Sequence, residues 1–226
     1  MQPQAYTNTR ALDRSESTKV LRNTYALLAM TVLFSAVTAG ISMAVGMSHI
    51  MGLVCSFGAL ALIWFVLPRT ANSSAGIGVV FAFTGLLGAS LGPILNHYLN
   101  MAGGGQIVMQ ALGTTALIFF ALSAYVLTTR KDFSFMGGFL FVGLIAVLVC
   151  MLGVVIAGLF GIHMPLFSVA LSGVIALLMS GFILFNTSQI INGGETNYVM
   201  ATASLYLNIF NLFTSLLHIL GFASDD

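Results

Sequence analysis

After Arg22 the chain runs through four long stretches without a charged side chain: residues 23–68, 70–129, 133–194 and 196–224. Arg69, the Arg130-Lys131-Asp132 triplet and Glu195 separate them, and Asp225 and Asp226 follow the last. A helix that crosses the hydrocarbon core of a bilayer takes about 20 mostly apolar residues. The first three stretches each hold two such helices and the fourth holds one, which makes seven. Only 6% of the residues are charged, against about 25% in ordinary soluble domains. That shortage argues against a soluble enzyme, a nucleic-acid binder and a disordered chain. A net charge of +1 offers no strong field to a polyanionic or cationic partner.

Each long stretch has a weak point near its middle. Met47-Ser48-His49 divides the first, Asn100 to Gly105 the second, and Gly161 to Met164 the third, with Pro165 suited to the first turn of a new helix. The expected spans are 24–46, 50–67, 75–99, 106–128, 136–160, 165–191 and 199–222. No sustained period-2 alternation supports strands. The fold class is therefore an all-α integral membrane protein, with a polar segment at 1–22 and a seven-helix membrane domain at 23–226.

All seven lysines and arginines fall on one side of this arrangement: four before residue 23, Arg69 in the second connection, and Arg130 and Lys131 in the fourth. The positive-inside rule makes that side cytoplasmic, with the N-terminus inside and Asp225-Asp226 outside. The polar segment and the long first span do not fit a cleaved signal peptide, so the first span is expected to stay as an anchor. Cys55 and Cys150 lie inside apolar spans and form no pattern of pairing or metal binding.

The last span carries a polar stripe. Ser204, Asn208, Asn211, Ser215 and His218 follow at steps of 4, 3, 4 and 3, within about 80° of one helical face. Polar side chains are costly against lipid, so the stripe should face protein or water. It either lines a cavity or holds helices together by hydrogen bonds of about 0.6 kcal/mol each. The third span is rich in small residues, with Thr84, Gly88, Gly92 and Asn96 at every fourth position and Gly85 among them. That spacing admits another helix closely, and Pro93 removes a backbone donor and should kink the helix.

Gly88 to Gly92 also fits a Gly-x-Ser-x-Gly pattern around Ser90, but a nucleophile of that type needs a strand-to-helix elbow. No catalytic residue, metal site or cofactor is expected. The four histidines, at 49, 97, 163 and 218, lack metal-ligand spacing. No Asp, Glu, Lys or Arg lies within a span, where a proton relay or cation path would place one.

Gly85 to Leu95, GLLGASLGPIL, resembles the signature of the Bax inhibitor-1 (transmembrane Bax inhibitor motif) family. KVLRNTYALL (19–28), SAYVLTTRKDFSFMGG (123–138), GGETNYV (193–199) and ILGFAS (219–224) resemble, in the same order, segments of its bacterial members. The resemblance implies six helices around a central seventh, residence in the bacterial inner (cytoplasmic) membrane as a multi-pass protein, and an N-in, C-out orientation. It implies binding to the membrane protease FtsH, which would restrain proteolysis of other membrane proteins. Residues 1–22, disordered by composition, would be the protease's handle. Beyond FtsH and the bilayer, no nucleic acid or small-molecule substrate is implied. The family's alternative role, a weak calcium leak, uses two carboxylates. Their matching positions here are Asn186 and Asn208, amides that neither titrate nor offer negative charge. Arg69 matches the family's cytoplasmic latch arginine.

Overall fold

The computed structural model describes the backbone of residues 4–224 and the side chains of residues 16–224. Seven helices are long and apolar enough to cross a membrane. They are α1 (Gln4–Val45), α2 (His49–Thr70), α3 (Ser74–Leu99), α4 (Gly104–Thr129), α5 (Gly137–Leu159, entered through a 3₁₀ turn at Ser134–Met136), α6 (Pro165–Ile191) and α7 (Tyr198–Ala223). The chain is a multi-pass membrane protein. Large apolar side chains such as Phe139, Val142, Leu152 and Leu159 of α5 are exposed, as a lipid-facing surface requires and a soluble protein would not tolerate.

Most helix ends obey local chemistry. Ser48 caps α2, its hydroxyl accepting from the Met51 N–H at 3.3 Å. Pro165 opens α6, where its fixed φ is already helical and its missing N–H costs nothing. Arg130 closes α4 in the left-handed region, φ 51°, and is the one non-glycine residue with positive φ among the described residues.

Two boundaries differ from the expected ones. The polar segment before residue 23, read as disordered, continues α1 back to Gln4. It holds good helix formers, including Ala11, Leu12, Glu16 and Lys19, and after Pro3 contains neither Gly nor Pro to break the helix. The second span does not stop at residue 67 before a loop at Pro68-Arg69. Leu62–Val66 forms a widened π turn, in which the Leu67 N–H reaches back five residues to the Leu62 carbonyl. The wider turn makes room for the Pro68 ring, which would otherwise clash with a carbonyl of the preceding turn. The helix then runs on to Thr70, with Arg69 in its last turn. Asp225 and Asp226, part of the orientation argument, lie outside the described residues, as do the side chains of Arg10, Asp13 and Arg14.

The helices sort into two compact units. One comprises the chain up to Asn100 together with Gln189–Tyr206, so α1, α2, α3 and the first part of α7. The other comprises Met101–Ser188 and the chain from Leu207, so α4, α5, most of α6 and the rest of α7.

Candidate functional site

The first unit is built on the glycines of α3. A Cβ on Gly88 would collide with the Ser35 carbonyl and the Thr38 hydroxyl of α1, and one on Gly92 with the Ser42 side chain. At Gly85 a Cβ would lie 2.7 Å from the Phe34 ring. The bare backbone of α3 therefore lets α1 approach closely. Pro93 lies inside an unbroken helix. Having no N–H, it leaves the Ala89 carbonyl one turn back without its usual donor. The Ser42 hydroxyl donates to that carbonyl at 2.7 Å, and the Asn96 amide donates to the Met43 carbonyl at 3.3 Å. On α2, Gly52 lets Pro93 lie close, with the proline Cγ 3.3 Å from where a Cβ would be.

The start of α7 is bound into the same unit. The buried Tyr206 hydroxyl shares a short hydrogen bond with Ser35 Oγ and donates to the Thr84 carbonyl at 3.3 Å. Its ring stands edge-on to Phe83, centroids 5.6 Å apart. The Thr202 hydroxyl donates to the Tyr198 carbonyl of its own helix at 2.7 Å and lies 3.3 Å from the Thr24 carbonyl of α1. Asn197 caps the helix, accepting from the N–H groups of Val199 and Met200, and its amide donates to the Ala71 carbonyl at 3.1 Å and to Asn72 Oδ1 at 2.8 Å.

In the second unit the remaining stripe residues are all at least half-buried. Asn208 and Ser215 are buried, and Asn211 and His218 are half-buried; Ser204, in the first unit, is half-buried. The apolar side of α7 is equally covered, with Leu205, Leu212 and Leu217 fully buried. Asn211 spends its amide on the Leu207 carbonyl of its own helix, at 2.9 Å. His218 Nδ1 lies 2.8 Å from Ser172 Oγ on α6. The Ser172 hydroxyl also lies within reach of the Ser168 carbonyl of its own helix, at 3.1 Å, and the imidazole tautomer sets which group donates between serine and histidine.

Asn186 is half-buried. Asn208 Nδ2 is buried and has no hydrogen-bond partner, so the Asn208 amide does not donate to Asn186. Counted from the facing ends of α6 and α7, Asn208 lies five residues deeper, about 7.5 Å along the axis. Ser123 Oγ and Thr187 Oγ1 of the same unit are likewise buried without a partner. Ser90 donates to the Leu87 carbonyl of its own helix at 2.7 Å, and His97, further along that helix, is exposed. Among the described residues no group of three or more His, Cys, Asp or Glu could hold a metal ion. Cys55 and Cys150 are free and half-buried.

Sequence reasoning missed the α1 side of the first unit. Thr24, Thr31, Ser35 and Ser42, all buried, recur at steps of 7, 4 and 7, the same helical signal as the α7 stripe. What the arrangement offers chemically is hydrogen bonding between close-packed helices. Its charged groups lie in the polar first part of α1, in the last turn of α2 and in the connections.

The family described as inhibitor of apoptosis-promoting Bax1 matches residues 17–225. The chain is 53% identical over 208 residues to a protein of Escherichia coli strain K12 named modulator of FtsH protease YccA, with 92% of each chain covered. It is equally similar to the inner membrane protein YccA of Escherichia coli O6:H1. An uncharacterized membrane protein of Vibrio cholerae is 50% identical over 222 residues, 98% of this chain and 97% of its own.

Proposed function

The chain belongs to the Bax inhibitor-1 family, and from that premise we propose that it modulates the membrane protease FtsH, binding it and limiting its proteolysis of membrane proteins. The 53% identity to a modulator of FtsH protease, over nearly the whole of both chains, carries this reading. The chain is a multi-pass inner membrane protein, by its seven apolar helices and its relatives. The placement of Lys19, Arg22, Arg69, Arg130 and Lys131 supports a cytoplasmic N-terminus. No residue of α7 between Tyr198 and Phe222 is exposed, which supports its place as the central helix.

A protein that binds a membrane-extracting protease and persists needs a body that is hard to pull apart. The glycine seam between α1 and α3 fits that need, because backbone meets backbone there and extraction must break it as a whole. A calcium leak is less well supported, since Asn186 and Asn208 carry no charge to attract the ion. The test is a pull-down of the tagged protein from membranes, followed by turnover of an FtsH membrane substrate with the protein overproduced. Co-purification of FtsH with a longer-lived substrate is expected. Absence of both FtsH co-purification and slower substrate turnover would overturn the proposal.

A further inference from the structure

The connection between α4 and α5 is short, tightly held and cationic. It runs from Arg130 to Met136, and both its ends are ends of membrane-crossing helices. Its side chains are therefore confined to the depth of the lipid headgroups. Its backbone is fixed from α6: Ser188 Oγ accepts from the Phe133 N–H at 2.9 Å and donates to the Lys131 carbonyl at 3.3 Å. Arg130 is held in its left-handed conformation with its N–H on the Val126 carbonyl at 2.8 Å.

The acid of the connection is engaged by Ser134. Asp132 Oδ1 accepts from both the N–H and the hydroxyl of Ser134. Arg130 and Lys131 are exposed. Lys131 stands 5.9 Å over the Tyr125 ring, with Nζ 3.4 Å from its hydroxyl. A few residues further along the chain, Phe135 is 80% and Phe139 75% exposed. They are four residues apart, where α5 enters the apolar layer.

We propose that Arg130 and Lys131, with the exposed Phe135 and Phe139 that follow them where α5 begins, form a headgroup site for an anionic glycerophospholipid. The paired cations meet the phosphate, and the exposed rings lie where its acyl chains begin. A free phosphate ion would use the cations and leave the rings without a role. Because the connection is ordered by Ser188 and Ser134 before any lipid arrives, little ordering cost is left for binding. The selectivity is electrostatic, of the kind that basic residues near a membrane surface supply.

The test uses the full chain, purified in detergent doped with equal amounts of phosphatidylglycerol and phosphatidylcholine, and counts retained lipids by native mass spectrometry. The wild type is expected to favour phosphatidylglycerol, and R130Q/K131Q to lose about thirtyfold of that preference. R130K/K131R, which keeps both charges, should retain most of it. If the double variant does not fold, R130Q alone should lose about fivefold. Equal retention of the two lipids by the wild type, or an unchanged preference in the glutamine variants, would overturn the site. Displacement of the lipid by millimolar inorganic phosphate would assign the cations to a free phosphate instead, and would overturn the lipid reading as well.

Discussion

The Ser42 hydroxyl of α1 occupies the position on the Ala89 carbonyl that the N–H of residue 93 would fill if that residue were not proline. A defect in one helix thus becomes the attachment point for another. Gly92 belongs to the same arrangement, since any side chain there would displace Ser42.

Replacing Ser42 by alanine strips the part-buried Ala89 carbonyl of its donor. The expected loss is about 1 kcal/mol of stability, the usual size for an intramolecular hydrogen bond. Adding P93A should recover part of it, because the restored N–H can bond to Ala89 along the helix. Unfolding of the four proteins of this cycle in mixed micelles is the measurement. Equal losses in S42A with and without P93A would refute the link.

Glycines with the same name should respond in opposite ways. G88A places a Cβ against the Ser35 backbone carbonyl, which cannot swing aside, and should destabilise by about 1–3 kcal/mol. G113A in α4 meets nothing within 4 Å. It should be neutral or stabilising by up to about 1 kcal/mol, the helix-propensity gain. Thermal denaturation of the purified variants separates the two.

Asn208 has a buried Nδ2 with no partner. An unmatched buried donor costs about 1–3 kcal/mol, so N208L, of similar size and without the donor, should match or exceed the wild type in stability. N208A should fall below both, because it leaves a cavity. A clear loss in N208L would show that the amide makes a bond worth keeping.

The Ser134 hydroxyl and N–H hold the Asp132 carboxyl below its ordinary range. A depressed carboxylate favours the folded connection above its ordinary value of about 4. That contribution is lost as pH falls through the lowered value. In an NMR titration the Ser134 amide should therefore move with a midpoint below 4, and S134A should bring the midpoint back up. A midpoint at or above 4 in the wild type would contradict this.

Much of the span layout was legible because charge and apolar length are local properties. Arg130-Lys131-Asp132 marks the break between α4 and α5, and Pro165 marks the first residue of α6. The second span was misjudged at its end because Pro68 reads as a stop, and nothing local announces that a π turn will absorb it. The polar residues before Asn23 read as loose for their composition, yet they carry nothing that halts the helix behind them. At the site, Gly88 and Gly92 announced a close approach without naming what approaches. Ser35 and Ser42 lie some 50 residues away in sequence, and only the fold brings them to those glycines. His218 was visible as part of a stripe, whereas its partner Ser172 was one serine among many.

The widened turn in α2 also settles how that helix meets its neighbours. Gly52, Ala59 and Leu67 are its buried positions, spaced seven and then eight residues apart. At about 100° per residue, seven steps bring a side chain back to within about 20° of its starting direction, whereas eight overshoot by about 80°. A π turn takes up one extra residue without advancing the phase, so the second interval behaves as seven and the three positions fall on one line. The helix is in effect a regular seven-residue seam carrying a single inserted residue. Dropping one residue between Leu62 and Val66 would leave both flanks facing as they do now. Dropping one between Gly88 and Gly92 would swing half of the α1–α3 seam out into lipid.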